Sequence, residues 1–411
     1  VMTMARHSRR LLGTSGAIIL LDLAVMASPA AAQDRLTADA SASLGIATNP
    51  FLEPGSTPVA IGPTLSLRPS WTSERPLTTL RVEGDARATF YNRGYGTNDS
   101  FGVQGYGSHK VSETTTLNAA VGYINAIVGT FGEARVPVGT ALPIGADLPT
   151  LINDPALAGV GRRQKVYQGS GNIVSILSPR DQIEAGVAVS ANRYGGNLQD
   201  FNYATPSVAY SRLLGEKFTV GASFAVSFSN YLRTTIGDAT VYQPSLTVSR
   251  SVGERWTLNA SLGAALINLD EGLGRNRTTT AFNGSANLCR RDTRWTACFN
   301  AARQTVPSAF QGVRTSTVVG TSLGYRVNEA DDLAFVGSYS HASEPLQRDL
   351  IAVVRDTALD FVGANANFSH RFRRTLSGFV SAGYAKSFGD SIRRDANLTA
   401  TAGVTYRFNG R

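Results

Sequence analysis

The stretch Leu77-Thr-Thr-Leu-Arg-Val-Glu-Gly-Asp-Ala-Arg-Ala-Thr-Phe-Tyr91 decides how this chain folds. Taken with a period of two, Leu80, Val82, Gly84, Ala86, Ala88 and Phe90 fall on one side. Thr79, Arg81, Glu83, Asp85, Arg87, Thr89 and Tyr91 fall on the other. Successive side chains of a β-strand point to opposite faces, so this strand has one apolar wall and one charged wall. On a helix the same residues would scatter charge all round. Such a strand either covers a soluble core or stands in a membrane, with lipid on one side and water on the other.

Composition narrows the choice. The 411 residues are 42% hydrophobic and only 17% charged, with 41 glycines. A chain of this length ordinarily divides into two or three soluble domains, yet no linker separates any here. Helical periodicity is nearly absent after the N-terminal segment. That segment reads as a secretory signal. Arg6, Arg9 and Arg10 form a basic region, Leu11 to Val25 is apolar apart from Asp22, and Ser28-Pro-Ala-Ala-Ala32 offers small residues for cleavage before Gln33. A retained anchor is the alternative. Residues 1–32 are thus expected to be a signal peptide and 33–411 a single all-β unit. No later stretch approaches the roughly 20 apolar residues of a transmembrane helix. The net charge of +9 raises nucleic acid as a partner. The basic residues are scattered without a stripe of interleaved aromatics, and export removes the opportunity. Loop arginines are either ordinary solvated charge or contacts for lipopolysaccharide phosphates.

The same alternation recurs along the chain. Leu36, Ala38, Ala40, Ala42, Leu44 and Ile46 form one face of a first strand; Ile61, Leu65, Leu67 and Trp71 form one face of a second. Pro63 and Pro69 weaken that second strand, because proline cannot donate to a ladder. Later examples are Phe218, Val220, Ala222, Phe224, Val226 and Phe228, and then Trp256, Leu258, Ala260, Leu262, Ala264 and Leu266. The last strand is Leu398, Ala400, Ala402, Val404, Tyr406 and Phe408. Short charged turns, such as Pro179-Arg-Asp181, Gly215-Glu-Lys217 and Gly253-Glu-Arg255, alternate with longer loops rich in Gly, Asn and Pro. Nothing in the chain is left over to cover so many apolar faces, and open sheets of this size leave edges to protect. Closure removes the edges and lipid covers the outside. The expected fold is therefore all-β: a transmembrane antiparallel up-and-down β-barrel of about 18 strands, or 16, with both termini periplasmic. The expected location is the outer membrane.

On that fold Arg68, Arg81, Glu83, Asp85 and Arg87 line the lumen, either setting ion selectivity or forming structural ion pairs. The long segment from Val128 to Gly161 follows the fifth strand. Its Glu133, Arg135, Asp147 and Asp154 are candidates for a constriction loop folded into the pore, by analogy with general porins; an exposed loop is the other reading. Cys289 and Cys298 sit symmetrically about a turn, on the lumen face, and fit a structural disulfide in an oxidising compartment. No CxxC points to redox chemistry. His109, His341 and His370 fall near strand ends without the spaced partners of a zinc site, and no phosphate-cradling loop is present. No cofactor and no metal are expected, and an enzyme at the barrel rim is the weakest reading. Trp71, Phe90, Tyr91, Phe101, Trp256 and Trp295 fit interface girdles.

Leu44-Gly-Ile-Ala-Thr-Asn-Pro-Phe51, the Gly-Glu-basic turns each followed by an apolar strand, and Arg303-Gln-Thr-Val-Pro-Ser-Ala-Phe-Gln-Gly-Val-Arg314 together carry a resemblance. The chain resembles a β-barrel porin family encoded in exopolysaccharide synthesis clusters of Gram-negative bacteria. The resemblance covers most of the chain after the signal and implies an outer-membrane barrel linked to exopolysaccharide production or export. The partners it implies are outer-membrane lipid and lipopolysaccharide, the barrel assembly machinery, polysaccharide cargo and periplasmic export components. It supplies no catalytic residue. Asn409-Gly-Arg411 after Phe408 departs from the usual C-terminal barrel signal. A plugged barrel acting as a scaffold or surface-binding component is the alternative to a channel.

Overall fold

A computed structural model of the chain describes residues 33–55, 58–92, 95–128, 157, 161–233, 236–272, 275–343, 359–389 and 394–409. Its strands are β1 (Gln33–Ala47), β2 (Ala60–Glu74), β3 (Thr78–Phe90), β4 (Thr97–Lys110), β5 (Thr115–Val128) and β6 (Arg162–Ser178). There follow β7 (Asp181–Tyr194), β8 (Phe201–Gly215), β9 (Phe218–Tyr231), β10 (Ala239–Val252), β11 (Trp256–Gly272) and β12 (Arg275–Arg291). The last six are β13 (Trp295–Pro307), β14 (Val313–Arg326), β15 (Asp331–Ala342), β16 (Leu359–Arg373), β17 (Leu376–Phe388) and β18 (Asn397–Asn409). Each pairs antiparallel with its neighbours in sequence, and β1 pairs with β18 from Thr37↔Asn409 to Ala47↔Thr399. The sheet therefore closes into an 18-stranded up-and-down barrel with no free edge. Tight turns such as 179–180, 216–217 and 374–375 lie at one end, and β1 starts and β18 finishes at that end. Longer connections lie at the other.

The period-two pattern becomes the two surfaces of the wall. Leu44, Leu246 and Leu262 are 58%, 67% and 62% exposed on the outside. The inward positions pair as hydroxyl ladders: Ser223 with Ser245 at 2.6 Å, and Ser261 with Ser285 at 2.7 Å. Pro69 of β2 is accommodated by a glycine. Gly84 faces Pro69 across the β2–β3 pair, and a Cβ at Gly84 would meet the proline ring at 2.9 Å. The strand runs through both prolines without breaking.

Polar pairs bound the apolar band above and below. On the outer face of β15 and β16, Asp331 bonds to His370 at the short-turn rim (2.6 Å) and His341 to Asp360 at the long-loop rim (2.8 Å). Leu333, Phe335, Gly337 and Tyr339 occupy the outer positions between them. The pairs stand about ten residues apart, roughly 34 Å along the strand and about 26 Å along the axis at a ~40° tilt, which matches the apolar band of an outer-membrane barrel. Aromatics stand at the rims. Phe101, Tyr123 and Tyr167 pack with centroids 5.3 and 4.9 Å apart, next to an ion pair of Arg163 with Asp99 (2.7 Å). At the opposite rim the Arg290 guanidinium lies 4.5 Å from the Trp295 ring and 5.4 Å from the Trp256 ring.

Candidate functional site

The lumen is chemically asymmetric. Register puts Arg81, Glu83, Asp85 and Arg87 of β3 on the inner face, opposite Thr72, Ser70 and Ser66 of β2 and Tyr106, Gln104, Gly102 and Ser100 of β4. Arg68 of β2 donates from Nε to Asp85 at 2.8 Å, and Arg81 pairs with Glu83. All five residues expected to line the lumen therefore stand together on one stretch of wall. The wall continues beyond them. Asp39 of β1 lies in register with Arg68 on one side and Arg407 of β18 on the other. Arg407 grips it with two hydrogen bonds, 2.8 Å from Nε and 3.0 Å from an Nη. Asp39 and Arg407 escaped the sequence reading because they become neighbours only when the first and last strands meet. The strand pattern held the signal: each is a charge on the polar face of a terminal strand.

These charges alternate in sign from β18 through β1 and β2 to β3. Arg68 and Arg407 are largely exposed to the lumen, at 65% and 58%, so each pair contributes no more than about 1 kcal/mol to stability. Their main effect is a local field. Half a turn around the barrel, β9 to β12 present the neutral hydroxyl ladders instead. The lumen wall thus has a charged side and, at the height of these ladders, an uncharged hydrogen-bonding side.

The long-loop mouth is narrowed from within. The tip between β13 and β14, Ser308 to Gly312, turns inward and packs on the wall from β7 to β11. Ala309 and Phe310 join a cluster of Leu157, Tyr194, Leu198, Phe201 and Tyr231. Val313 joins Ala239, Val241, Ala265, Ile267 and Leu269 on β10 and β11. The tip is tethered as well as packed. The Tyr231 hydroxyl lies 2.7 Å from the Ser308 carbonyl and 2.6 Å from that of Gly312, and shares its proton between them. Gln311 donates its side-chain amide to the Ile236 carbonyl at 2.8 Å, with its backbone at φ 86°. A non-glycine residue in that region costs of order 1–3 kcal/mol and persists only where its surroundings hold it. The mid-chain motif that carried the resemblance is thus an inward hairpin. Its one sequence signal was the apolar Ala309-Phe310 at the tip of a loop otherwise expected to meet water.

The expected constriction residues Glu133, Arg135, Asp147 and Asp154 lie outside the described residues. Cys289 and Cys298 are joined in a disulfide with Cα atoms 4.1 Å apart, near the short-turn rim. His109 hydrogen-bonds to Thr78 at 2.8 Å, and the other two strand-end histidines are held by Asp360 and Asp331. Among the described residues no group of His, Cys, Asp and Glu is arranged to hold a metal.

No family model and no curated protein sequence matches the chain. Among solved structures it is similar to a BenF-like porin from Pseudomonas fluorescens Pf-5, at 12% identity and a TM-score of 0.47, covering 92% of this chain and 99% of that one. It is also similar to OccK2 (OpdF) from Pseudomonas aeruginosa, at 14% identity and a TM-score of 0.46, covering 92% and 98%. OccAB3 from Acinetobacter baumannii is similar at 12% identity and a TM-score of 0.45, covering 92% and 100%.

Proposed function

We propose that this chain is a porin-like channel of a Gram-negative outer membrane, exported by residues 1–32 and inserted as a barrel from residue 33 onward. The observation that carries the reading is the apolar outer band about 26 Å tall, bounded by polar pairs and aromatics at both rims. A soluble monomer rarely exposes an apolar patch beyond a few hundred Å². An 18-stranded barrel is wide enough for an aqueous lumen, and the charged and hydroxyl walls suit hydrophilic solutes. The short-turn end, with both strand termini, faces the periplasm. Purified, heat-modifiable protein should give discrete conductance steps in a planar bilayer; a folded barrel that never conducts removes the open channel.

The inward tip of the β13–β14 hairpin favours a second reading, a plugged barrel that serves as a scaffold or surface-binding part of a secretion complex. Opening that tip by mutation separates the two, since a plugged barrel gains conductance and a channel already has it. The link to exopolysaccharide export rests on the resemblance carried by the three quoted features. Deleting the gene should lower the yield or chain length of secreted polysaccharide; unchanged polysaccharide removes the link while leaving the channel. Outside the barrel, Arg163, Lys165 and Arg193 share the outer face at the long-loop rim, above Tyr123 and Tyr167, where lipopolysaccharide phosphates lie. Lipopolysaccharide retained on the purified barrel should fall when the three are replaced by Gln. No enzymatic role and no cofactor belong to this reading.

A further inference from the structure

Among the described residues Arg314 is the largest side chain to be fully buried, at 0% exposure. It sits at the base of the inward hairpin, across from Val306, on the same inner face of β14 as Ser316, Val318 and Gly320. Its Nε, Nη1 and Nη2 have no hydrogen-bond partner among the described residues. Among the described residues the contact on its charge is the Phe310 ring, whose centroid is 5.8 Å from the guanidinium carbon. A buried guanidinium cannot escape by losing its proton, and a single aromatic face at that range offsets only part of its desolvation. Buried charge of this kind is kept where an anion completes it. The three nitrogens form the planar fork that matches an oxyanion with two parallel hydrogen bonds.

We propose that Arg314 is an oxyanion-binding site at the narrow mouth of the lumen, taking the carboxylate or phosphate group of a solute. Phe310 is its lid: the ring covers the guanidinium when the site is empty and yields to the anion. Two features fit. Phe310 lies on the tip, held by the Tyr231 hydroxyl, the Gln311 amide and apolar packing rather than by strand pairing, so it shifts without unzipping the wall. The solute also reaches Arg314 only at the mouth, where passage through the channel proposed above brings it past this residue.

The test uses the full-length barrel purified in detergent, with folding of each variant checked by heat-modifiable gel shift. Wild type, Arg314→Gln, Arg314→Lys and Phe310→Ala are compared in sodium chloride, sodium gluconate and sodium phosphate at equal ionic strength. Thermal unfolding is followed without reference to conduction, and current block is followed in a planar bilayer. Gluconate, phosphate or both should raise the unfolding temperature and block current in wild type. Arg314→Gln should weaken both effects by roughly ten- to a hundredfold, the loss expected for charge-assisted hydrogen bonds. Arg314→Lys keeps a point charge and should retain part of the effect, and Phe310→Ala should tighten binding. Gluconate alone assigns the site to carboxylates, and phosphate alone to phosphates. Equal responses in wild type and Arg314→Gln, or none in wild type and Phe310→Ala, overturn the site. A silent barrel that is still stabilised through Arg314 keeps the site and removes the open channel. A conducting barrel indifferent to both anions does the reverse.

Discussion

Asn49 shows what one residue of the first resembling motif does. It is fully buried, just past the end of β1. Its side-chain amide donates to the carbonyls of Glu53 (3.0 Å) and Asp395 (3.2 Å), and its oxygen accepts from the Glu53 amide at 2.8 Å. Thr48 and Arg394 add hydrogen bonds to Ala396 and Leu52. The loop after β1 is thereby clasped to the segment before β18, across the seam where the barrel closes. Asn49→Ala removes three hydrogen bonds made by a fully buried side chain and should cost about 2–3 kcal/mol. A lower urea midpoint for loss of the heat-modifiable form would register that cost; a midpoint equal to wild type denies the clasp any structural weight. Within that motif the sequence offered Asn-Pro as a strand breaker, and the clasp stayed hidden because the partners of Asn49 across the seam stand some 350 residues away (Asn49 N to Asn397 Oδ1, |i−j| 348). Asp39 and Arg407 were hidden for the same reason.

The β12–β13 hairpin carries the argument at the scale of an element. Leu288↔Phe299 and Cys289↔Cys298 follow from counting outward from the turn, and the structure has that register. In the chain-entropy account a disulfide closing a loop of about ten residues contributes roughly 2–3 kcal/mol. Replacing Cys289 and Cys298 together by Ser should lower the unfolding free energy by up to that amount under oxidising conditions and remove the effect of a reductant. The turn adds a pH dependence. Asp292 accepts from the Thr293 amide at 2.8 Å and pairs with Arg255 of the neighbouring turn at 2.9 Å. The backbone hydrogen bond first, and the Arg255 charge after it, hold the carboxyl below the usual aspartate value. A depressed carboxyl stabilises the fold above its unfolded pKa, and that contribution is lost as pH falls through the lower folded value, below about pH 4. Asp292→Asn should flatten this part of the acid dependence of unfolding. Hairpins such as this one were legible because two-residue alternation and charged turns state their register locally. The β13–β14 hairpin keeps the same alternation through Val313 and Thr315, yet both are buried, so pattern alone could not tell an inward tip from an outward one.

At the scale of the whole molecule one distinction orders everything: which side of the wall a residue faces. The first stretch read already contained it, since Leu80, Val82, Ala86 and Phe90 face outward while Arg81, Glu83, Asp85 and Arg87 face the lumen. Leu262 and Ser261 of β11 make the distinction measurable because they are adjacent in sequence. Leu262 is 62% exposed on the outer face midway along the strand, paired with Leu246. Ser261 points inward and hydrogen-bonds to Ser285 at 2.7 Å. In a membrane, Leu262→Arg places a charge near the hydrocarbon midplane and should cost about 2–4 kcal/mol. Ser261→Arg enters an aqueous lumen and should cost little, while shifting the reversal potential in a salt gradient toward anions. Folding into lipid vesicles under a urea series reads the first effect, and bilayer recordings read the second. A soluble sandwich would give another order, because Leu262 would then face water or a packed core: Arg would be tolerated in the one case and ruinous without any lipid in the other. Equal stability of the two variants in vesicles would mean that the apolar face of this barrel does not meet hydrocarbon.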